Sequence, residues 1–238
     1  MPFYERDGAR IRYAVQGEGD PLLLIAPGGM RSHLEAWERL PFDLVGALAA
    51  EHRVVTMDQR NAGESTAPIR GTDGWDTYTA DQLGLMEHLG CARFGVVGMC
   101  IGGAYIANLF RHAPERIARA AMLQPIGLED NRDTFYALFD GWADELREAH
   151  PEASEADWAA FRAHMFGGDF LFAASREDVA AIEAPLLVLR GDDVYHPASI
   201  SREVAELAPR GELLERWKEP EHHEAAQAAL LRFLAPER

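Results

Sequence analysis

The sequence is short of four things, and each shortage narrows what the protein can be. It has only two cysteines, Cys91 and Cys100. A small secreted scaffold stapled by disulfides would carry more. The two could pair only with each other, yet Cys91 stands before an apolar strand-like run and Cys100 at its far end. About eight extended residues would hold them roughly 27 Å apart, beyond the reach of a disulfide. Free thiols fit a cytoplasmic protein. Long apolar runs are also missing, so no bilayer-spanning segment is expected. The stretch Met1–Arg6 opens straight into a strand-like pattern without the apolar centre of a signal peptide. Basic residues are scarce, 23 Lys and Arg against 39 Asp and Glu, for a net charge of -16. That balance argues against nucleic acid or an anionic membrane as partner and leaves a small-molecule substrate open. Internal repeats and low-complexity linkers are absent. What remains, 238 residues of which 47% are hydrophobic, suits one domain over 1–238 with a sizeable core and room for an insertion.

Periodicity then sets the order of elements. Phe3–Glu5 and Arg10–Gln16 read as a hairpin around the turn Asp7-Gly8. Continuous apolar runs at Pro21–Ala26, Arg53–Met57, Phe94–Met99, Ala118–Leu123 and Pro185–Leu189 read as strands buried on both faces. Helical spacing marks Ser32–Glu51 (interrupted at Pro41), Tyr78–Leu89, Ile101–His112, Ser199–Leu207 and Glu224–Leu234. One more strand is expected near Glu212–Trp217. Buried strands alternating with helices predict an α/β fold with a mostly parallel, doubly wound sheet. Residues 127–182 interrupt the alternation with two helical stretches, Thr134–Ala149 and Glu155–Met165, and a dense aromatic load. They are either extra helices on the core or a helical cap over a site; the aromatics, well suited to an apolar pocket wall, favour the cap.

Chemistry is sought where strands of such a sheet end. Gly98-Met99-Cys100-Ile101-Gly102 has the form of a nucleophile elbow, G-x-S-x-G, with cysteine in the serine position. The turn would hold Cys100 in a strained conformation at the N-terminus of the next helix, where the dipole favours a thiolate. Pro27-Gly28-Gly29-Met30 follows the first long strand, Asp58–Ser65 the next, Gly191–Pro197 the next but two, and Glu221-His222-His223 the last. Cysteine, aspartate and histidine thus recur in order, each just past a strand.

On these residues the chain resembles the α/β-hydrolase superfamily over essentially its full length. Gly98–Gly102 matches the elbow and Pro27-Gly28-Gly29 stands at the oxyanion turn. Asp58–Ser65 resembles the D-x-R-G-x-G-x-S segment, and Gly191-x-Asp193-x-x-x-Pro197 the acid loop. The cysteine elbow is similar to that of dienelactone hydrolases. The D-x-R segment and the insertion are closer to the esterase and lactonase-like branch. Proline replaces the oxyanion-turn histidine, Asn61 a glycine, and the usual Gly-His before the last helix is absent.

The resemblance implies a Cys-His-Asp relay. Cys100 is the nucleophile, His222 the base in preference to His223, and Asp193 the acid in preference to Asp192, counting back four from Pro197. The N–H groups of Gly29 and Ile101 form the oxyanion hole, with Met30 as fallback for Gly29. Asp192, Asp193 and His196 together could suggest a metal. No second His/carboxylate pair stands at ligand spacing nearby, so neither metal nor other cofactor is expected. Hydrolysis of small esters, lactones or thioesters through an acyl-enzyme is the leading expectation. The rivals are acyl transfer by the same relay and a non-catalytic binder of small ligands. Oligomeric state is not legible.

Overall fold

A computed structural model describes residues 1–235. Its centre is an eight-stranded sheet of β1 (Phe3–Arg6), β2 (Ala9–Gln16), β3 (Asp20–Ile25), β4 (His52–Met57), β5 (Phe94–Met99), β6 (Ile117–Leu123), β7 (Leu186–Leu189) and β8 (Gly211–Leu214). The spatial order is β1-β2-β4-β3-β5-β6-β7-β8. The β1–β2 hairpin is antiparallel and β2 joins β4 antiparallel, while β3 through β8 pair parallel. The apolar runs follow from this placement, because a central strand must bury both faces. In β3, Leu23 and Ile25 enter one core cluster while Leu22 and Leu24 enter the other. Each such side chain contributes about 1.5–3 kcal/mol by leaving water.

Helices α1 (Leu44–Ala49), α2 (Trp75–His88), α3 (Ile101–His112), α4 (Arg132–Leu146), α5 (Glu155–Phe166), α6 (Arg176–Ala180), α7 (Ala198–Leu207) and α8 (His223–Leu234) complete the fold. Among the described residues no helix is long and apolar enough to cross a membrane. The chain leaves β3 for β4 on one side and comes back to β5 on the other. The strand order reverses there, and the crevice that opens between the ends of β3 and β5 is where such sheets bind ligands. Gly28-Gly29 and Cys100 stand at those two ends.

Three local expectations need correction. Ser32–Glu51 is not one interrupted helix. It forms 3-10 turns at Gly29–Arg31 and Leu34–Arg39 before the short α1. The buried Asp58 carboxylate accepts the Leu34 N–H at 2.9 Å, and Asp43 caps α1 by accepting from Gly46 at 2.8 Å. Side-chain bonds of this kind compete with a continuous helix. The last strand ends at Leu214 rather than Trp217, because the Trp217 Nε1–H donates to the Arg190 carbonyl at 2.8 Å and turns the chain off the sheet edge. The insertion also holds a third helix, α6, opened by Ser175 accepting from the Asp178 N–H at 3.2 Å.

Candidate active site

Three close approaches explain the elbow. A Cβ on Gly98 would lie 2.5 Å from the Gly102 carbonyl oxygen, one on Gly102 would lie 2.8 Å from that of Ile25, and one on Gly103 would lie 2.5 Å from the Pro125 Cβ. Only glycines let β5 turn so tightly into α3. Cys100, between them, has φ 61 and ψ -116, a conformation costly for any residue with a Cβ. The strain lifts its thiol off the strand end onto the N-terminus of α3, where it is half-buried.

The imidazole that meets this thiol belongs to His196, not His222. His196 is buried, and its Nδ1 lies 2.8 and 2.9 Å from the two carboxylate oxygens of Asp193. Nε2, on the far side of the ring, is buried without a conventional hydrogen bond, and His196 and Cys100 line the same cavity and shift each other's pKa. Loose nucleophile–base contacts are usual in a ligand-free site. Burial pushes the Cys100 thiol up. The neighbouring His196 imidazole, with the Gly28 and Ile101 amides beside the sulfur, overcomes it, and the net shift is downward. Burial likewise opposes the charged imidazole, but Cys100 and then Asp193 carry the His196 pKa upward. Asp193 goes the other way. Burial raises it, while His196 and the backbone N–H groups of Tyr195 and His196 bring it below the ordinary carboxylate value. Each of the three shifts favours the charged form of its group, as expected where a thiol, an imidazole and a carboxylate neighbour one another. Asp193 is about half exposed, so solvent screens its charge and its main effect is to orient the ring.

The acid loop builds acid and base from one turn. The Asp193 Oδ1 accepts the N–H of Tyr195 at 2.9 Å and of His196 at 3.0 Å, an Asx-type turn that also delivers the His196 ring to the carboxylate. Gly191 is required beneath it, since a Cβ there would lie 2.2 Å from the His196 carbonyl oxygen. From the insertion, the buried Asn131 donates to the Val194 carbonyl at 2.6 Å and to that of Gly127 at 3.0 Å, and accepts from the Glu129 N–H at 2.9 Å. Asn131 is thus a positioning residue for the loop.

Among the sequence-derived site residues, Cys100, Asp193, Ile101 and Gly29 come together here. His222 does not. It closes a 3-10 turn, Pro220–His222, and does not line the cavity at Cys100. His223 sits with Nε2 at 2.7 Å from the Lys218 carbonyl and its ring 6.4 Å from that of Phe42. The cause is the early end of β8. Trp217 bonds to Arg190 and Lys218 pairs with Asp192, which ties the 217–223 segment down beside the acid loop. Asp192 is spent on that ion pair. The signal for His196 was present in the sequence, a histidine three residues after the acid in a loop whose chain otherwise lacks the Gly-His motif. Gly28, rather than Gly29, is the amide aimed at the resting sulfur.

The cavity holds about 180 Å³ and is lined by Gly28, Gly29, Cys100, Ile101, Ile126 and His196 from the sheet side and the acid loop. Tyr195 and, from the insertion, Phe135, Leu138 and Phe166 close it. Helices α4 and α5 therefore stand next to the elbow. His33 belongs to a separate surface cleft, 3.0 Å from Glu35. With Glu35 and Asp58 it makes a group whose ligand atoms lie within 4.8 Å of one another. Arg12 occupies that group's charge, reaching Glu35, Asp58 and Glu64.

The sequence profile of the family described as alpha/beta hydrolase fold matches residues 21–209. The chain belongs to this family. Curated relatives of this α/β hydrolase include a 2-hydroxymuconate semialdehyde hydrolase of Pseudomonas putida, 25% identical and covering 96% of this chain and 92% of the relative. A non-heme haloperoxidase of Rhodococcus erythropolis is 26% identical, covering 81% and 82%. Among solved structures, an enol-lactonase from Burkholderia xenovorans LB400 has a TM-score of 0.75 at 22% identity, covering 98% of this chain and 99% of that one. That last likeness is one of fold.

Proposed function

We propose that the protein hydrolyses small esters, lactones or thioesters through a covalent acyl-enzyme on Cys100, with His196 as general base and acid and Asp193 orienting it. The observation that carries this reading is the half-buried Cys100 at a helix N-terminus, its thiol drawn below the usual range by a buried imidazole that is itself held by a carboxylate. A thiol so placed is a nucleophile in waiting. A relative named as a hydrolase, the 2-hydroxymuconate semialdehyde hydrolase, supports the same broad class here.

In the first half-reaction the Cys100 thiolate attacks the carbonyl carbon. The S–C bond forms as the carbonyl π pair moves to oxygen, beside the N–H groups of Gly29 and Ile101. Collapse of the adduct breaks the bond to the leaving group, which takes the proton from His196 Nε2. In the second half a water molecule gives a proton to the now neutral His196 as its oxygen attacks the thioester. The sulfur leaves as thiolate, and the ion pair is restored. Residues 127–182 serve as the cap that keeps bulk water from the acyl-enzyme.

Mixing the protein with p-nitrophenyl butyrate tests this. The expected result is a burst of nitrophenolate, about one per active site, and a butyryl group on the peptide that contains Cys100. Cys100→Ala abolishes both. Cys91→Ala keeps both, because Cys91 is buried and its thiol is pushed up by that burial despite Arg53 and Arg116. Turnover surviving in Cys100→Ala would contradict the reading.

A further inference from the structure

We infer that the site, read as the acyl-enzyme site above, is selective for short or aryl acyl groups that carry no charge, with Leu138 as the residue that sets both limits. The cavity wall is mostly apolar. Its ten lining residues include no lysine or arginine, and apart from Cys100 and His196 they are glycines, Ile101, Ile126, Leu138, Phe135, Phe166 and Tyr195. The imidazole is already matched to Asp193 and Cys100. A carboxylate on the acyl chain would lose its water and meet no cation, an expensive burial. The net charge of -16 adds a repulsive field of the same sign.

Size follows from volume. The cavity is about 180 Å³, and an apolar cavity of roughly 150 Å³ accommodates benzene. It therefore seats about six to eight non-hydrogen atoms, the range of a hexanoyl or benzoyl group. Its walls suit an aromatic guest. Phe135 stacks on Phe166 with centroids 5.3 Å apart and meets Tyr195 edge-on at 5.8 Å. Leu138 closes the cavity above the oxyanion turn: a Cβ placed on Gly29 would lie 2.8 Å from Leu138 Cδ2. It stands on the insertion helix α4, so a change there alters the cavity without touching Cys100, His196 or Asp193.

The test is a series of p-nitrophenyl esters (acetyl, butyryl, hexanoyl, decanoyl, benzoyl and monosuccinyl) on wild type, Leu138→Ala and Leu138→Arg. Expected kcat/KM is highest for butyryl to benzoyl. It should be at least ~10-fold lower for decanoyl, and at least ~100-fold lower for monosuccinyl than for butyryl and for the hexanoyl ester that matches it in number of non-hydrogen atoms. Leu138→Ala should recover decanoyl turnover. Leu138→Arg should raise monosuccinyl while lowering butyryl turnover. A second arm needs no catalysis: benzamide should slow iodoacetamide labelling of Cys100, and succinamate should not. Equal kcat/KM for butyryl and monosuccinyl esters with a normal burst overturns the selectivity and leaves the hydrolase reading standing. Absence of turnover for every ester, with benzamide still protecting Cys100, removes the hydrolase reading and supports the cavity assignment. Protection by succinamate and not by benzamide overturns that assignment too.

Discussion

Replacing His196 by alanine is expected to lower kcat/KM for a small activated ester by about 10³–10⁴, while His222→Ala and His223→Ala stay within about twofold of wild type. His196 carries two duties that no other residue in the cavity can take over. In the proposed mechanism it stabilises the thiolate and moves the proton in both half-reactions. Its loss leaves Cys100 governed by burial, which drives the thiol toward its neutral form. His223 already meets the Lys218 carbonyl, and neither it nor His222 lines the cavity. Steady-state kinetics on the three variants decide the matter. A collapse of activity in His222→Ala with His196→Ala nearly normal would return the base to the position expected from the family pattern.

The second large effect is on stability. Arg60, from the D-x-R segment, and Asp81, from α2, form an ion pair in which the side chains are 5% and 1% exposed. The Arg60 Nη2–H donates to Asp81 Oδ1 at 2.9 Å, and a second bond runs from Nε to Oδ2. Breaking one side of such a pair leaves a buried, uncompensated charge. Asp81→Ala should therefore destabilise the protein by about 3–5 kcal/mol, a large part of the ~5–15 kcal/mol a domain typically has. Replacing both partners by apolar residues of similar volume, Arg60→Met with Asp81→Leu, should cost far less than the single change. Urea unfolding of Asp81→Ala, of the singles Arg60→Met and Asp81→Leu, and of the double variant measures this. Additive losses would show that the pair contributes no coupling.

How much of this was legible beforehand depends on whether a feature is local. The strands were readable because a strand buried on both faces must be apolar at every position, as in Leu22–Ile25 and Val96-Val97. The limits of β5 and α3 were readable because Gly98 and Gly102 punctuate them. The elbow, Asp193 and the Gly28-Gly29 turn lie next to strand ends, so sequence order alone places them. The choice of histidine was not settled in that way, because order along the chain favours His222 although His196 stands three residues after Asp193. The expected His222 is held elsewhere because the loop after β8 is tied down by Trp217 and Lys218, bonds to residues 27 and 26 positions away, while the imidazole beside Cys100 comes from the acid loop itself, turned in by Asp193. The 3-10 turns after Gly28 depended on Asp58, which follows a different strand. Asn131 carries no motif. Its importance arises from reaching the Val194 carbonyl, 63 residues away.

Coupling between Cys100 and His196 is the centre of the proposed mechanism, and the pH dependence of iodoacetamide alkylation at Cys100 measures it directly. A thiol whose pKa is lowered keeps its thiolate as pH falls, until the pH passes through that lowered value. Wild-type Cys100 should therefore alkylate rapidly at neutral pH, with an inflection clearly below the ordinary thiol value of about 8.5. In His196→Gln the partner that lowers the pKa is gone and burial remains, so the inflection should move up to the ordinary value or beyond it. An inflection near 8.5 in wild type, unmoved by His196→Gln, would contradict the relay.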